Sequence, residues 1–223
     1  FTGFIRIMTK NRQLNSLFFI LLIFSFNIFA ENIILSDFEQ HQLSQWEEHE
    51  FNNKTNYSLI KENSQTILKA SSIASASGLV KKIKINLNKT PYLNWSWKIQ
   101  NTLKNTSETQ KTGDDYPARI YVVISKGIFF WKTRSLAYVW SSHQAVNSHW
   151  FNAYTSNLTM VAANSGKQKI GQWVQHKINL KEDIKRYLKI DADNIDAFAI
   201  MSDTDNTKQQ ATAYYKNIFF SNN

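Results

Sequence analysis

Carboxylates gather in two short stretches of this sequence, Asp114-Asp115 and Asp203-Thr204-Asp205-Asn206-Thr207. Two carboxyls held roughly 5–10 Å apart across a glycosidic bond can divide the acid and base work of hydrolysis. The pairing to test is Asp114 or Asp115 with Asp203 or Asp205. Oxygens at alternate positions of the second stretch also begin like a calcium loop. An EF-hand is excluded, because Lys208 stands where the loop needs Gly and Tyr214 where it needs the bidentate Glu. A differently built calcium site on Asp203 or Asp205 stays open, and no other cofactor motif occurs. Arg119 follows Asp115 by four residues and starts an apolar run. A guanidinium there requires a carboxylate partner if it is buried, with Asp115, Asp203 and Asp205 as the choices. A second set of residues suits binding without catalysis. Trp131, Trp150, Phe151 and Tyr154 lie outside the clear strands, beside the polar Asn152 and His149, where rigid rings either stack on a ligand or cover the ends of a core.

These groups need rigid elements to hold them, and the sequence reads as short strands. Ile195–Met201 is apolar on both faces and ends in the acidic stretch, which predicts a central strand presenting Asp203, Asp205 and Asn206. Ala118–Ser125 alternates Ile120, Val122 and Ile124 against Arg119, Tyr121 and Val123. If these two strands pair antiparallel, the start of one lies beside the end of the other and the charges converge. Leu93, Trp95, Trp97 and Ile99 share a face, read as core in preference to a sugar platform. Further strands are expected at Ile33–Phe38, Gln45–Phe51, Tyr57–Lys61, Thr66–Ser72, Val80–Leu87, Leu136–Ser141, Leu158–Ala163, Trp173–Asn179 and Ala211–Phe220. His149–Thr155 reads as irregular, Gly127–Lys132 as a hairpin or loop, and Asn101–Thr112 as a mobile polar loop. Asn179 with Glu182 signals the start of one short helix. This pattern predicts an all-β, antiparallel β-sandwich of jelly-roll type with one short helix.

Charge and targeting narrow the setting. Met8 opens a segment with basic Lys10 and Arg12, an apolar core at Leu17–Phe24 and a small residue at Ala30, the layout of a secretory signal. Residues 1–30 are therefore expected to be leader and signal peptide, cleaved near Ala30, with 31–223 a single periplasmic or secreted domain and no stable transmembrane anchor. Without Arg6, Lys10 and Arg12, 23 basic residues face 17 acidic ones, a surplus of +6. The surplus is scattered and forms no dense block, which argues against nucleic-acid binding. There is no cysteine, so neither disulfides nor thiolate chemistry are available.

Five motifs in order carry a family resemblance. They are Gly113-Asp114-Asp115-Tyr116-Pro117-Ala118-Arg119-Ile120-Tyr121-Val122, Tyr138-Val139-Trp140-Ser141-Ser142, Asn152-Ala153-Tyr154-Thr155, Ala199 to Thr207, and Ala211 to Phe220. Together they resemble the bacterial exported family called domain of unknown function 3047, over roughly Ile33 to Phe220. The sequence departs from the family at Lys208, where Gly is usual, and at Lys216, where Gly or Asp is common. The resemblance implies an exported protein of unassigned biochemistry. Asp37-Phe38-Glu39 with Trp46, and the aromatic last strand, are also similar in pattern to carbohydrate-binding jelly rolls. The function expected is a non-catalytic binding domain for a glycan or cell-envelope component, and the alternative is a carbohydrate-active hydrolase or lyase using the paired aspartates.

Overall fold

In the computed structural model, residues 32–104, 107–125 and 133–223 are described. The leader and signal expected at 1–30, the reading of Gly127–Lys132 and the stacking role of Trp131 fall outside these residues. Among the described residues thirteen strands form two sheets. One sheet runs β11 (Val174–Asn179), β6 (Tyr92–Ile99), β13 (Gln210–Ser221), β4 (Gln65–Ile73) and β3 (Asn56–Glu62). Here β4 pairs with the first half of β13, and β1 (Asn32–Ile34) with its end, through Asn32 opposite Ser221. The other sheet runs β2 (Glu47–Asn52), β5 (Ala76–Asn86), β12 (Asn194–Asp203), β7 (Arg119–Ile124), β8 (Arg134–Ser141), β10 (Leu158–Ser165) and β9 (His149–Phe151).

The pairing is antiparallel except between β8 and β10, which run parallel with Leu136 opposite Thr159. The chain must return between them, and residues 149–151 pair antiparallel with β10 on the way. This corrects the reading of His149–Thr155 as irregular: its first three residues form the edge strand β9.

The two sheets face each other across one apolar core. Leu93, Trp95, Trp97 and Ile99 from β6 meet Ile120, Val122, Phe198, Ile200, Leu136, Tyr138 and Trp140 from the second sheet. Trp95 and Trp97 are 1% and 0% exposed, so this aromatic face is core and no sugar platform. Phe38 and Trp46 pack in the same core with ring centroids 6.3 Å apart. Such large rings dominate its burial. Asn179 accepts the backbone N–H of Glu182 and caps a short helix, α1 (Leu180–Asp183), as its sequence signals. A π-helical turn, Ile184–Leu188, continues it and ends at Lys189 in the left-handed region, φ 56°.

The described residues of the loop read as mobile are tied down instead. Leu103 and Glu108 are buried, and the Glu108 carboxylate accepts the Ser141 hydroxyl and, at 2.6 Å, the backbone N–H of Ser142. Its polar composition concealed an anchor. The Gly113 backbone lies so close beneath Ser107 that a Cβ there would stand 2.3 Å from the Ser107 nitrogen. Only glycine lets this loop close over the strand that carries Arg119.

Candidate functional site

The second sheet has an outer face as well as a core face. Alternation along β12 sends Phe198 and Ile200 inward and Ala199, Met201 and Asp203 outward, and along β7 it sends Arg119, Tyr121 and Val123 outward. The outer face carries its own small buried cluster, Tyr116, Ala137, Val139 and Met160, flanked by Tyr121, Trp150 and Leu158. Next to it lies a cleft of about 500 Å³. Gly78, Val80, Val123, Leu158, Ala199 and Met201 give it an apolar floor, while Asp114, Asn152, Asp203, Asp205 and Asn206 make one end polar. Phe51 and Tyr154 also line it, 71% and 56% exposed.

The polar end is the convergence expected from the two strands. β7 and β12 pair antiparallel with Arg119 opposite Met201, so Arg119 lies beside Asp203. Asp203 is the partner among the three considered. Arg119 Nε donates to Asp203 Oδ1 at 2.8 Å, and its NH2 group donates to Oδ2. Two further guanidinium N–H groups donate to the Asp114 backbone carbonyl at 2.5 Å and the Tyr121 hydroxyl at 3.1 Å. Arg119 is 3% exposed, so it is buried and carries the carboxylate partner that burial requires. The Tyr116 ring packs against the guanidinium at 4.3 Å, and the Tyr116 N–H donates to Asp203 Oδ1 at 3.1 Å.

Asp115 belongs to the turn. Its Oδ1 accepts the backbone and side-chain N–H groups of Asn206, each at 3.2 Å, and its Oδ2 accepts the Thr207 N–H at 2.6 Å. Asp205 accepts from Asn52 at 3.1 Å and from Asn206 at 3.3 Å. Asp114 Oδ2 accepts from Asn152 at 2.6 Å, but its Oδ1, although buried, meets no hydrogen-bond donor. Burial pushes the Asp203 carboxyl well above its ordinary range against the opposing pull of Arg119. Burial likewise raises Asp114, again opposed by Arg119.

The other expected site residues divide. Asn152 and Tyr154 join the cluster, the Tyr154 hydroxyl donating to Asn206 Oδ1 at 2.6 Å. Trp150 packs over Tyr116 with centroids 6.3 Å apart, so it supports the site from behind and does not line the cleft. Phe151 is exposed but does not line the cleft either. Phe51 was missed, since a single apolar residue closing a strand reads as core. The anchoring Glu108 was missed too; burial raises its carboxyl, and only its acidic type within a polar loop marked it.

The arrangement also bears on catalysis and metal. Asp115, Asp203 and Asp205 each place a carboxylate oxygen within 4.8 Å of the others, the one such grouping of potential ligands among the described residues. That spacing is near that of a retaining pair. The oxygens of Asp115 and Asp203 accept backbone or guanidinium N–H groups, so both carboxylates hold the turn and Arg119 in place. A metal ion held by these three carboxylates together would have to share the Asp203 oxygens with Arg119.

Fold and site together define a jelly-roll β-sandwich with a cleft on the outer face of its larger sheet. Residues 44–219 match a family model described as protein of unknown function (DUF3047), and the chain belongs to that family. Among curated proteins, none matches it in sequence. Among solved structures, it is similar to a carbohydrate-binding module of family 29 at 8% identity and TM-score 0.39, over 86% of this chain and 92% of that one. It is also similar to the xyloglucanase domain of a type three effector from Sinorhizobium fredii, at 8% identity and TM-score 0.44, over 79% and 92% of the two chains. A third likeness is to endoglucanase 3 of Trichoderma harzianum, at 8% identity and TM-score 0.39, over 87% and 97%. The strand order given above, and not these likenesses, carries the fold assignment.

Proposed function

We propose that this chain is an exported, non-catalytic binding protein whose outer-face cleft holds a glycan or a glycan-bearing component of the cell envelope. The observation that carries the reading is Asp114 Oδ1, a buried acceptor without a donor at the head of an open cleft. A ligand hydroxyl or N–H there would complete it. Phe51 and Tyr154 expose ring area on the same cleft, the contact that the C–H face of a sugar ring uses. The structural engagement of the Asp115 and Asp203 oxygens supports binding without cleavage. Export rests on the basic, apolar and small-residue order from Met8 to Ala30. Among the described residues no helix is long and apolar enough to cross a membrane.

A glycan array, followed by calorimetry and a reducing-sugar assay on each hit, tests this. Binding without release of reducing ends is expected, and Tyr154→Ala or Phe51→Ala should weaken it about tenfold with an unchanged melting temperature. Sugar release that depends on Asp114 or Asp205 would replace this reading with a hydrolase. Mass spectrometry of the exported protein should find its N-terminus near Glu31; an intact Met8 terminus would end the cleavage reading.

A further inference from the structure

The cleft has a charge opposite to that of the chain. The sequence carries a formal +9. Asp114, Asp203 and Asp205 nevertheless line the cleft's polar end, with Asp115 close behind. Arg119 is the one cation among the described lining residues. It is also committed, since its donors go to Asp203, the Asp114 carbonyl and the Tyr121 hydroxyl. The next cation, Lys111, stands over the Tyr154 ring at 5.2 Å and is exposed. Several carboxyl groups therefore share one guanidinium, and the burial that raises Asp114 and Asp203 shows them short of compensating positive charge.

Asp114 adds an observation independent of that excess. It is 4% exposed and lines the cleft, and its Oδ1 lacks a donor, the nearest guanidinium nitrogen being 3.9 Å away. A neutral hydroxyl would satisfy this oxygen but leave the charge. An anionic head would be repelled. An ammonium supplies three N–H donors together with a compensating charge. The exposed rings of Phe51 and Tyr154 attract a cation as well.

We propose that the cleft is selective for ligands bearing an ammonium group, which donates to Asp114 Oδ1 and lies against Asp205. This rests on the glycan-binding reading and deepens it: the preferred class is glycans containing de-N-acetylated amino sugars. The uncharged hydroxyls of such a ligand face Asn52 and Asn206, and its ring C–H faces lie on the apolar floor and Tyr154.

The test is calorimetry with a matched pair of probes, β-1,4-linked glucosamine oligomers and their N-acetylated counterparts of equal length. In mildly acidic buffer at low salt the amino form should bind at least about tenfold more tightly, and the advantage should shrink as salt is added. Asp205→Asn, at a half-buried position without contact to Arg119, should cut the advantage several-fold; an undiminished advantage in this variant would overturn the placement of the ammonium. Equal binding of the two probes, or preference for the N-acetylated one, would overturn the ammonium assignment while leaving the glycan site standing. Binding of neither probe, with no neutral glycan retained on the array, would overturn both.

Discussion

Two regions of this molecule bury ionisable side chains, and they differ in what opposes the cost of that burial. At the polar end of the cleft burial raises Asp114 and Asp203, but a cation and several donors oppose it: Arg119 grips Asp203, and strand and turn N–H groups reach Asp203 and Asp115. Across the sandwich, beside α1, charge is suppressed. His176 stacks on Trp95 at 4.5 Å and shares Asn164 Oδ1 with Trp97, and burial drives its imidazole down to about 4. Asp183 beside it accepts the Tyr138 hydroxyl at 2.7 Å, and burial raises its carboxyl. Strand ends and a turn meet at the cleft, and their unpaired N–H groups make ionised carboxylates tolerable. Next to α1 the Tyr138 hydroxyl, the Asn164 amide oxygen and the pull of Arg186 oppose burial too weakly, and burial sets the direction of both groups. The first region meets its burial with a cation and backbone donors, the second with aromatic stacking and a hydroxyl.

Removing the cation from the first region should have the largest effect. Arg119→Ala leaves Asp203 buried beside Asp114 and Asp115 with no guanidinium, and a broken buried pair typically costs about 3–5 kcal/mol. Asp203→Asn should cost less, about 2 kcal/mol, because Arg119 keeps the Asp114 carbonyl and a nearby Asp114 carboxylate. Asp205→Asn, which does not touch Arg119, should stay within about 1 kcal/mol. Chemical denaturation of the three variants checks this order. An Arg119→Ala protein as stable as its parent would mean that the paired region is not holding charge at all.

The second region can be separated from the first by pH. A histidine held near 4 in the fold but near its ordinary value when unfolded is penalised by protonation, so stability should fall as pH drops from about 6.5 towards 4. Asp183, raised by burial, has the opposite sign: its contribution weakens as pH rises above the ordinary carboxylate range. His176→Gln removes only the first of these. Relative to its parent, that variant should gain about 2 kcal/mol between neutral pH and pH 4.5, read from denaturation midpoints at each pH. A constant difference across that range would show that His176 already protonates freely in the fold.

Much of this contrast was legible in the sequence, and the reasons are specific. Period-two alternation exposed the core face Leu93–Ile99 and the split of β7 into Ile120, Val122 and Ile124 against Arg119 and Tyr121. Because one apolar run began with a charge and another ended with one, antiparallel pairing alone brought Arg119 to Asp203. The expected strand at Val80–Leu87 lacked its first four residues, however. Ala76, Ser77, Gly78 and Leu79 carry little strand propensity, yet β12 pairs with them, and two of them line the cleft. The parallel pairing of β8 with β10 has no local signal, since it depends on which strands become neighbours. Asp114 and Asp115 are adjacent and identical in type. Only the fold tells the unpartnered cleft oxygen of one from the fully hydrogen-bonded turn carboxylate of the other.

The smallest expected effect lies in the turn that feeds the first region. Lys208 adopts φ 56°, the left-handed conformation that a side chain disfavours, and it is the position at which the resembling family usually carries Gly. The Lys208 side chain is exposed, so it offers little packing in return. Lys208→Gly removes the steric cost of about 1–2 kcal/mol and adds the entropic cost of a glycine in the unfolded chain, about 0.5–1 kcal/mol. The variant should therefore be more stable by about 0.5–1 kcal/mol, while Lys208→Ala, which keeps a Cβ in the same conformation, should show no such gain. The turn also holds the Asn206 and Thr207 N–H groups on Asp115. Relieving its strain without moving it should leave ligand affinity at the cleft unchanged. A loss of stability in Lys208→Gly, measured by thermal unfolding beside the Ala variant, would mean that the lysine stem stabilises the turn more than its backbone conformation costs.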